Sequence, residues 1–111
     1  MSFTISSIGA LLRAYRSGEV RPRDVLAPAL KRLQADQHRA WIQLIDEAAL
    51  DGYLQLLEQK NADDLPLYGV PFAIKDNIDL AGVPTTAACP AFAYTPEASA
   101  PVVQALIDAG A

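Results

Sequence analysis

The sequence predicts an α/β fold in which helices cover a sheet. Three observations predict it: apolar stripes at helical spacing, two short β-branched runs between them, and the alternation of the two kinds along the chain. A chain of 111 residues suffices for one small domain. A domain of that size buries roughly two thirds of the surface its unfolded form exposes.

Each element has its own reason. Ser6 or Ser7 caps a first helix whose apolar residues Ile8, Leu11, Leu12 and Tyr15 fall at i, i+3, i+4 and i+7, with Gly18 as its stop. Pro22 suits the first position of a second helix, and Val25, Leu26, Ala29, Leu30 and Leu33 extend its stripe towards Asp36. Pro28 lies inside that stripe, where it removes a backbone donor and crowds the preceding turn, so a kink or a later start is expected. The run Ala40-Trp41-Ile42-Gln43-Leu44-Ile45 is short, β-branched and aromatic, which predicts a strand. Asp46 then caps a helix carrying Leu50, Tyr53, Leu54 and Leu57 to about Lys60, weakened by Gly52, and Asn61 to Asp64 form a polar exit before Pro66.

From Tyr68 to Lys75 the pattern is that of a strand, with Val70, Phe72 and Ile74 on one face and Pro71, Ala73 and Lys75 on the other. Asp76-Asn77 predicts a turn. Ile78 to Leu80 and Val83 onward predict a small hairpin around Ala81-Gly82, followed by an irregular stretch through Thr85, Thr86, Cys89 and Pro90. A last helix begins at Pro101, buries Val102, Val103, Leu106 and Ile107, and stops at Gly110. Two strands cannot form a sheet that covers these helices, so the sheet is expected to be incomplete within the 111 residues. The expected division is a helical segment over 1–40 and the start of an α/β core over 41–111.

Composition narrows the function classes. Hydrophobic residues make up 51% and charged residues 20%, too apolar for a disordered tail. Residues 1–40 hold seven Lys/Arg against three Asp/Glu, and residues 41–111 hold two against ten. The basic side chains Arg13, Arg16, Arg21, Arg23, Lys31 and Arg32 interleave with apolar helical positions and have no aromatic stacking partners, which predicts a solvated helix face and no nucleic acid. No signal-peptide pattern and no 18-residue apolar run occur, so a cytoplasmic protein with no membrane partner is expected. Cys89 is the only cysteine and His38 the only histidine, a poor basis for a metal site, and neither metal nor cofactor is expected. Cys89 is expected to be a small buried apolar residue and His38 to be exposed.

Lys75 is the residue with the most chemistry. A lysine at the end of an apolar strand, among Phe72, Ala73 and Ile74, has its charged form disfavoured by desolvation and can serve as a base. The same residue can instead pair with Asp76 or Asp79, or reach solvent past the strand end.

The string Gly69-Val70-Pro71-Phe72-Ala73-Ile74-Lys75-Asp76-Asn77-Ile78-Asp79, followed by Ala81-Gly82-Val83-Pro84-Thr85-Thr86, closely resembles the opening motif of the amidase-signature family. The resemblance covers most of the chain, most weakly over the first forty residues. It implies the N-terminal portion of an α/β/α sandwich, a mixed sheet covered by helices, incomplete in this chain. It also implies that Lys75 is the catalytic base of a Ser-cisSer-Lys triad whose serines lie in a Gly/Ser-rich segment beyond Ala111. Asp76 and Asn77 are candidates to orient the lysine or the bridging serine, although an Asp-Asn pair after a strand also forms turns. Thr85 and Thr86 are candidate lining residues, although a Thr pair in a strand-like stretch is ordinary.

Within the family, Thr85-Thr86-Ala87-Ala88-Cys89-Pro90-Ala91-Phe92-Ala93-Tyr94-Thr95-Pro96 looks most like the allophanate hydrolases. That implies hydrolysis of allophanate to ammonia and carbon dioxide in urea or s-triazine nitrogen catabolism. The implied partners are a small-molecule amide, the remainder of the chain beyond Ala111, a second copy in a homodimer, and urea carboxylase. Two alternatives stand beside it. One is another amidase such as the glutamyl-tRNA amidotransferase A subunit; the other is a non-catalytic fragment that serves assembly. The 111 residues alone, without the serines, are expected to be inactive.

Overall fold

The structure, a computed structural model, describes residues 3–111. Residues 1 and 2, which the expected segment over 1–40 includes, lie outside the described residues. Four helices run in chain order: α1 (Ile8–Ser17), α2 (Pro22–Gln34), α3 (Glu47–Glu58) and α4 (Pro101–Asp108). Single 3-10 turns occupy Ala62–Asp64 and Pro90–Phe92.

Local chemistry sets the helix ends. The Ser7 hydroxyl accepts the Ala10 N–H at 3.1 Å, and Gly18 closes α1 in the left-handed region at φ 78°. Pro22 opens α2, where the Asp24 carboxylate accepts the Arg21 N–H at 3.0 Å. Asp46 caps α3 by accepting the Ala49 N–H at 2.7 Å. Contrary to the expected later start, α2 begins at Pro22 and runs through Pro28 to Gln34. An interior proline costs ~3 kcal/mol, whereas burying Val25 and Leu30 returns about 1.5–3 kcal/mol each, so the stripe outweighs the break.

The core forms where α1, α2 and the 65–70 segment meet, around Leu11, Tyr15, Val25, Tyr68 and Val70. Tyr15 and Tyr68 pack edge to face, with ring centroids 5.6 Å apart. The Tyr15 hydroxyl donates to the Gly69 carbonyl at 2.9 Å across 54 residues of sequence. Burial, and secondarily Tyr68, pushes the Tyr15 phenol well above its ordinary range, as befits a buried donor that stays protonated. The same segment is bolted to the end of α4: Leu67 N–H donates to Ala109 O at 2.8 Å and Gly69 N–H to Gly110 O at 2.9 Å.

The basic first third meets acids from later in the chain. Arg23 of α2 bridges Asp51 at 2.6 Å and Glu58 at 3.1 Å on α3, and Arg16 approaches Asp63 at 3.9 Å. These pairs are substantially exposed and orient helices more than they stabilise them. Among the described residues no helix is long and apolar enough to cross a membrane.

Three expectations change. The runs 40–45 and 68–75 are not strands, and no residue among those described belongs to a β-strand. A strand needs a neighbour to bond, and no backbone N–H from Trp41 to Ile45 or from Phe72 to Lys75 has a backbone partner among the described residues. Strand pairing is limited to two isolated antiparallel bridges, Leu80 with Val83 and Thr85 with Tyr94; the first is the expected hairpin reduced to one pair. In α4 the buried stripe narrows to Val103 with half-buried Leu106 and Ile107, because Val102 points away and is 59% exposed.

The two glycines 69 and 52 have opposite expectations. A Cβ at Gly69 would lie 2.6 Å from the Tyr15 ring at φ +68°. Gly69→Ala is expected to lower unfolding free energy by about 2–5 kcal/mol, combining left-handed strain with overpacking. Gly52, inside α3 with nothing within 4 Å of an added Cβ, is expected to gain about 0.5–1 kcal/mol on substitution by Ala. Urea unfolding of the two variants against the parent checks both signs.

Candidate active site

Lys75 ends the extended 70–75 segment at the wall of an open apolar groove of about 1010 Å³. Leu30 of α2, Leu54 of α3, Ile45, Ile74 and Thr85 also line it. The apolar enclosure expected around the lysine is open, since Phe72, Ala73 and Lys75 are all exposed. Among the described residues Lys75 forms no ion pair, so its ammonium reaches solvent past the segment end.

The neighbouring carboxylates are committed elsewhere. Ile78 N–H donates to Lys75 O at 2.9 Å, closing the expected turn over Asp76-Asn77. Asp76 Oδ1 accepts the Thr86 N–H at 3.2 Å, and Asp76 Oδ2 accepts the Thr86 hydroxyl and the Ala88 N–H, the latter at 3.3 Å. The Asp76 carbonyl takes the N–H groups of Thr86 at 3.2 Å and Ala87 at 2.8 Å. The Thr86 hydroxyl holds the Asp76 carboxyl below the usual carboxylate range; desolvation opposes this, and the amides of Ala88 and Thr86 add to it. Asp76 therefore binds the 86–88 turn and leaves Lys75 alone. Asn77 is exposed, and its side chain has no hydrogen-bond partner among the described residues.

Thr85 and Thr86 differ sharply. Thr85 is 2% exposed and donates its hydroxyl to Asp79 Oδ1 at 2.9 Å, while its backbone exchanges both hydrogen bonds with Tyr94. The Tyr94 hydroxyl donates to the same Asp79 oxygen at 2.5 Å, which pushes the Tyr94 phenol up. Asp79 O accepts the Ala100 N–H at 3.0 Å, linking this network to the start of α4. Thr86 belongs to the turn that Asp76 holds.

Ala87 and Ala88 sit at φ 49° and 59°, two successive left-handed non-glycine residues. Each costs about 1–2 kcal/mol relative to ordinary conformations. Cys89, expected to be buried, is exposed because it flanks the surface 3-10 turn Pro90–Phe92. His38 is exposed as expected. Among the described residues no three His, Cys, Asp or Glu side chains gather as a metal-holding group. Sequence reasoning missed the Asp79–Thr85–Tyr94 network and the left-handed alanines. Asp79 lay in plain view three residues after Asp76, but nothing local marks two alanines for φ > 0.

This chain belongs to the amidase-signature family: the family model described as Amidase matches residues 24–111. Among its relatives, it is 58% identical over 78 residues to a urea amidolyase of Lachancea kluyveri, covering 69% of this chain and 4% of that protein. It is 36% identical over 107 residues to the amidase-type component of the glutamyl-tRNA(Gln) amidotransferase of Acidobacterium capsulatum, covering 90% of this chain and 22% of that protein. Among solved structures, allophanate hydrolase of Kluyveromyces lactis aligns with a TM-score of 0.78 at 37% identity, over 97% of this chain and 18% of that one. The chain thus spans a small part of the length of each relative.

The lowered Asp76 carboxyl makes the turn pH-sensitive with a definite sign. The carboxylate's hold on 86–88 is fully present above the ordinary aspartate range, ~3.9, and is lost as pH falls through its lower folded value. Amide proton resonances of Thr86 and Ala88 are expected to move upfield together with a midpoint below that range, as read by NMR titration.

Proposed function

We propose that this chain supplies the general base of an amide hydrolase of the Ser-cisSer-Lys type that acts on allophanate. The observation that carries the reading is Lys75 at the wall of the apolar groove, in a string shared with the amidase-signature family. Similarity to a urea amidolyase and an allophanate hydrolase supports the substrate.

In this reading neutral Lys75 takes a proton from a bridging serine, which takes one from the nucleophilic serine as it attacks the amide carbonyl. Backbone N–H groups hold the oxyanion. The C–N bond breaks, the leaving nitrogen receives the proton, and ammonia departs from an acyl-enzyme. Water then releases the acid and restores the serine; the dicarboxylated amine so formed breaks down to ammonia and carbon dioxide. Both serines belong to polypeptide beyond the 111 residues, which by themselves perform no chemistry. That polypeptide also completes the sheet of an α/β/α sandwich against the bare 40–45 and 70–75 segments, with 1–40 as a helical preface to a core starting at 41. Thr85 and Thr86 line the site, while Asp76 and Asn77 support the lysine's turn. Assembly as a homodimer, cooperation with a urea carboxylase and a cytoplasmic setting belong to the same reading.

A second reading follows from the matches to glutamyl-tRNA(Gln) amidotransferases: glutamine is the amide donor and a partner protein with charged tRNA receives the ammonia. Allophanate against glutamine turnover by the full-length protein separates the two. On the first reading, Lys75→Ala lowers ammonia release from allophanate by roughly 10²–10⁴-fold with the far-ultraviolet circular dichroism unchanged. Undiminished turnover by that variant would leave the lysine no catalytic part and favour a role in assembly only.

A further inference from the structure

We propose that Asp76 is a positioning residue: it clamps residues 86–88 in a left-handed turn and thereby fixes the Thr85 wall of the groove relative to Lys75. The inference rests on the reading of Lys75 as base, and it assigns Asp76 a task other than touching the lysine.

Three successive N–H groups, those of Thr86, Ala87 and Ala88, converge on this one residue, together with the Thr86 hydroxyl. Its carbonyl and both carboxylate oxygens are all used. Convergence of this kind is what two left-handed alanines require, because the conformation persists only where its surroundings over-determine it. The clamp has a second jaw. Asp79, three residues on, holds Thr85 and Tyr94 through one oxygen, so the 76–79 turn grips the 85–88 stretch at both ends. Since Lys75 is the residue before Asp76, and Thr85 the residue before the clamped turn, the two groove-lining side chains are set by the same set of bonds. The ionised form of Asp76 is the one that accepts all three side-chain bonds, consistent with its carboxyl being held low by the Thr86 hydroxyl.

The alanines supply the test. Glycine takes the left-handed conformation without the cost an alanine bears, so it should relieve loss of the clamp but not loss of a direct contact to the lysine. In the full-length enzyme, Asp76→Ala is expected to lower kcat for allophanate by about 10–100-fold with KM changed less than about threefold, the scale of a small misplacement of catalytic groups. Adding Ala87→Gly and Ala88→Gly to Asp76→Ala should raise kcat again by at least about fivefold, since glycine holds the turn unaided. Hydrogen exchange of the 85–89 peptide should quicken in Asp76→Ala. Thr86→Val, which removes the donor instead of the acceptor and keeps the side-chain shape, should lower kcat in the same direction and serves if Asp76→Ala does not fold. A loss that the glycines do not relieve, or unchanged exchange over 85–89, overturns the clamp. The Lys75→Ala variant is read separately: if it stays active the base reading falls, while the exchange of 85–89 in Asp76→Ala still decides whether the clamp exists.

Discussion

The fold hangs on one interlock, the Tyr15 hydroxyl against the Gly69 carbonyl with the Tyr15 ring filling the space a Cβ would need. It joins α1 to a segment 54 residues away and seats the 66–70 turn in the core. Gly110 repeats the principle from the other side: its φ of 101° and missing Cβ let the end of α4 lie against the Tyr68 backbone, where a Cβ would come within 2.9 Å. Held between Tyr15 and Gly110, the chain leaves the core at Val70 in a fixed direction, and five residues later it presents Lys75. The position of the candidate base is therefore a consequence of packing remote from it in sequence.

Beyond Val70 the forces change from apolar packing to hydrogen bonding. Segments 40–45 and 70–75 are extended, apolar and without backbone partners, and both border the groove. Extended backbone that lines a concavity with unused donors and acceptors is the template on which further strands pair. The 76–88 region, by contrast, satisfies itself. Asp76 and Asp79 gather donors from Thr85, Thr86, Ala88 and Tyr94, so a short stretch with almost no buried apolar surface keeps a defined shape.

What the sequence disclosed follows the range of the interactions. Helices were legible because caps and stripes act within a few residues: Ser7, Gly18, Pro22, Asp46, Pro101 and Gly110 all sit at or beside the ends they predicted. Pro28 misled, since its local cost was visible while the burial of Val25 and Leu30 that outweighs it depends on partners elsewhere. The strands were legible only as extended backbone, because pairing is a property of two segments. In the site, Lys75, Thr85 and Thr86 were legible as residue types within a family motif. Their arrangement was not: alanine favours helix, and nothing near Ala87 and Ala88 announces that Asp76, ten residues earlier, will turn them left-handed. Cys89 was misplaced for the same reason, its exposure following from that turn and the 3-10 turn after it.

Lys75 either moves a proton or does not, and chemical rescue measures that most directly. In the full-length protein carrying Lys75→Ala, consumption of allophanate is followed while small primary alkylamines of graded basicity are added. The expected rate is near zero without amine, rises in proportion to amine concentration, and increases with basicity among amines of similar size. Full activity without any amine, or a folded, substrate-binding variant that no amine revives, would contradict a lysine base.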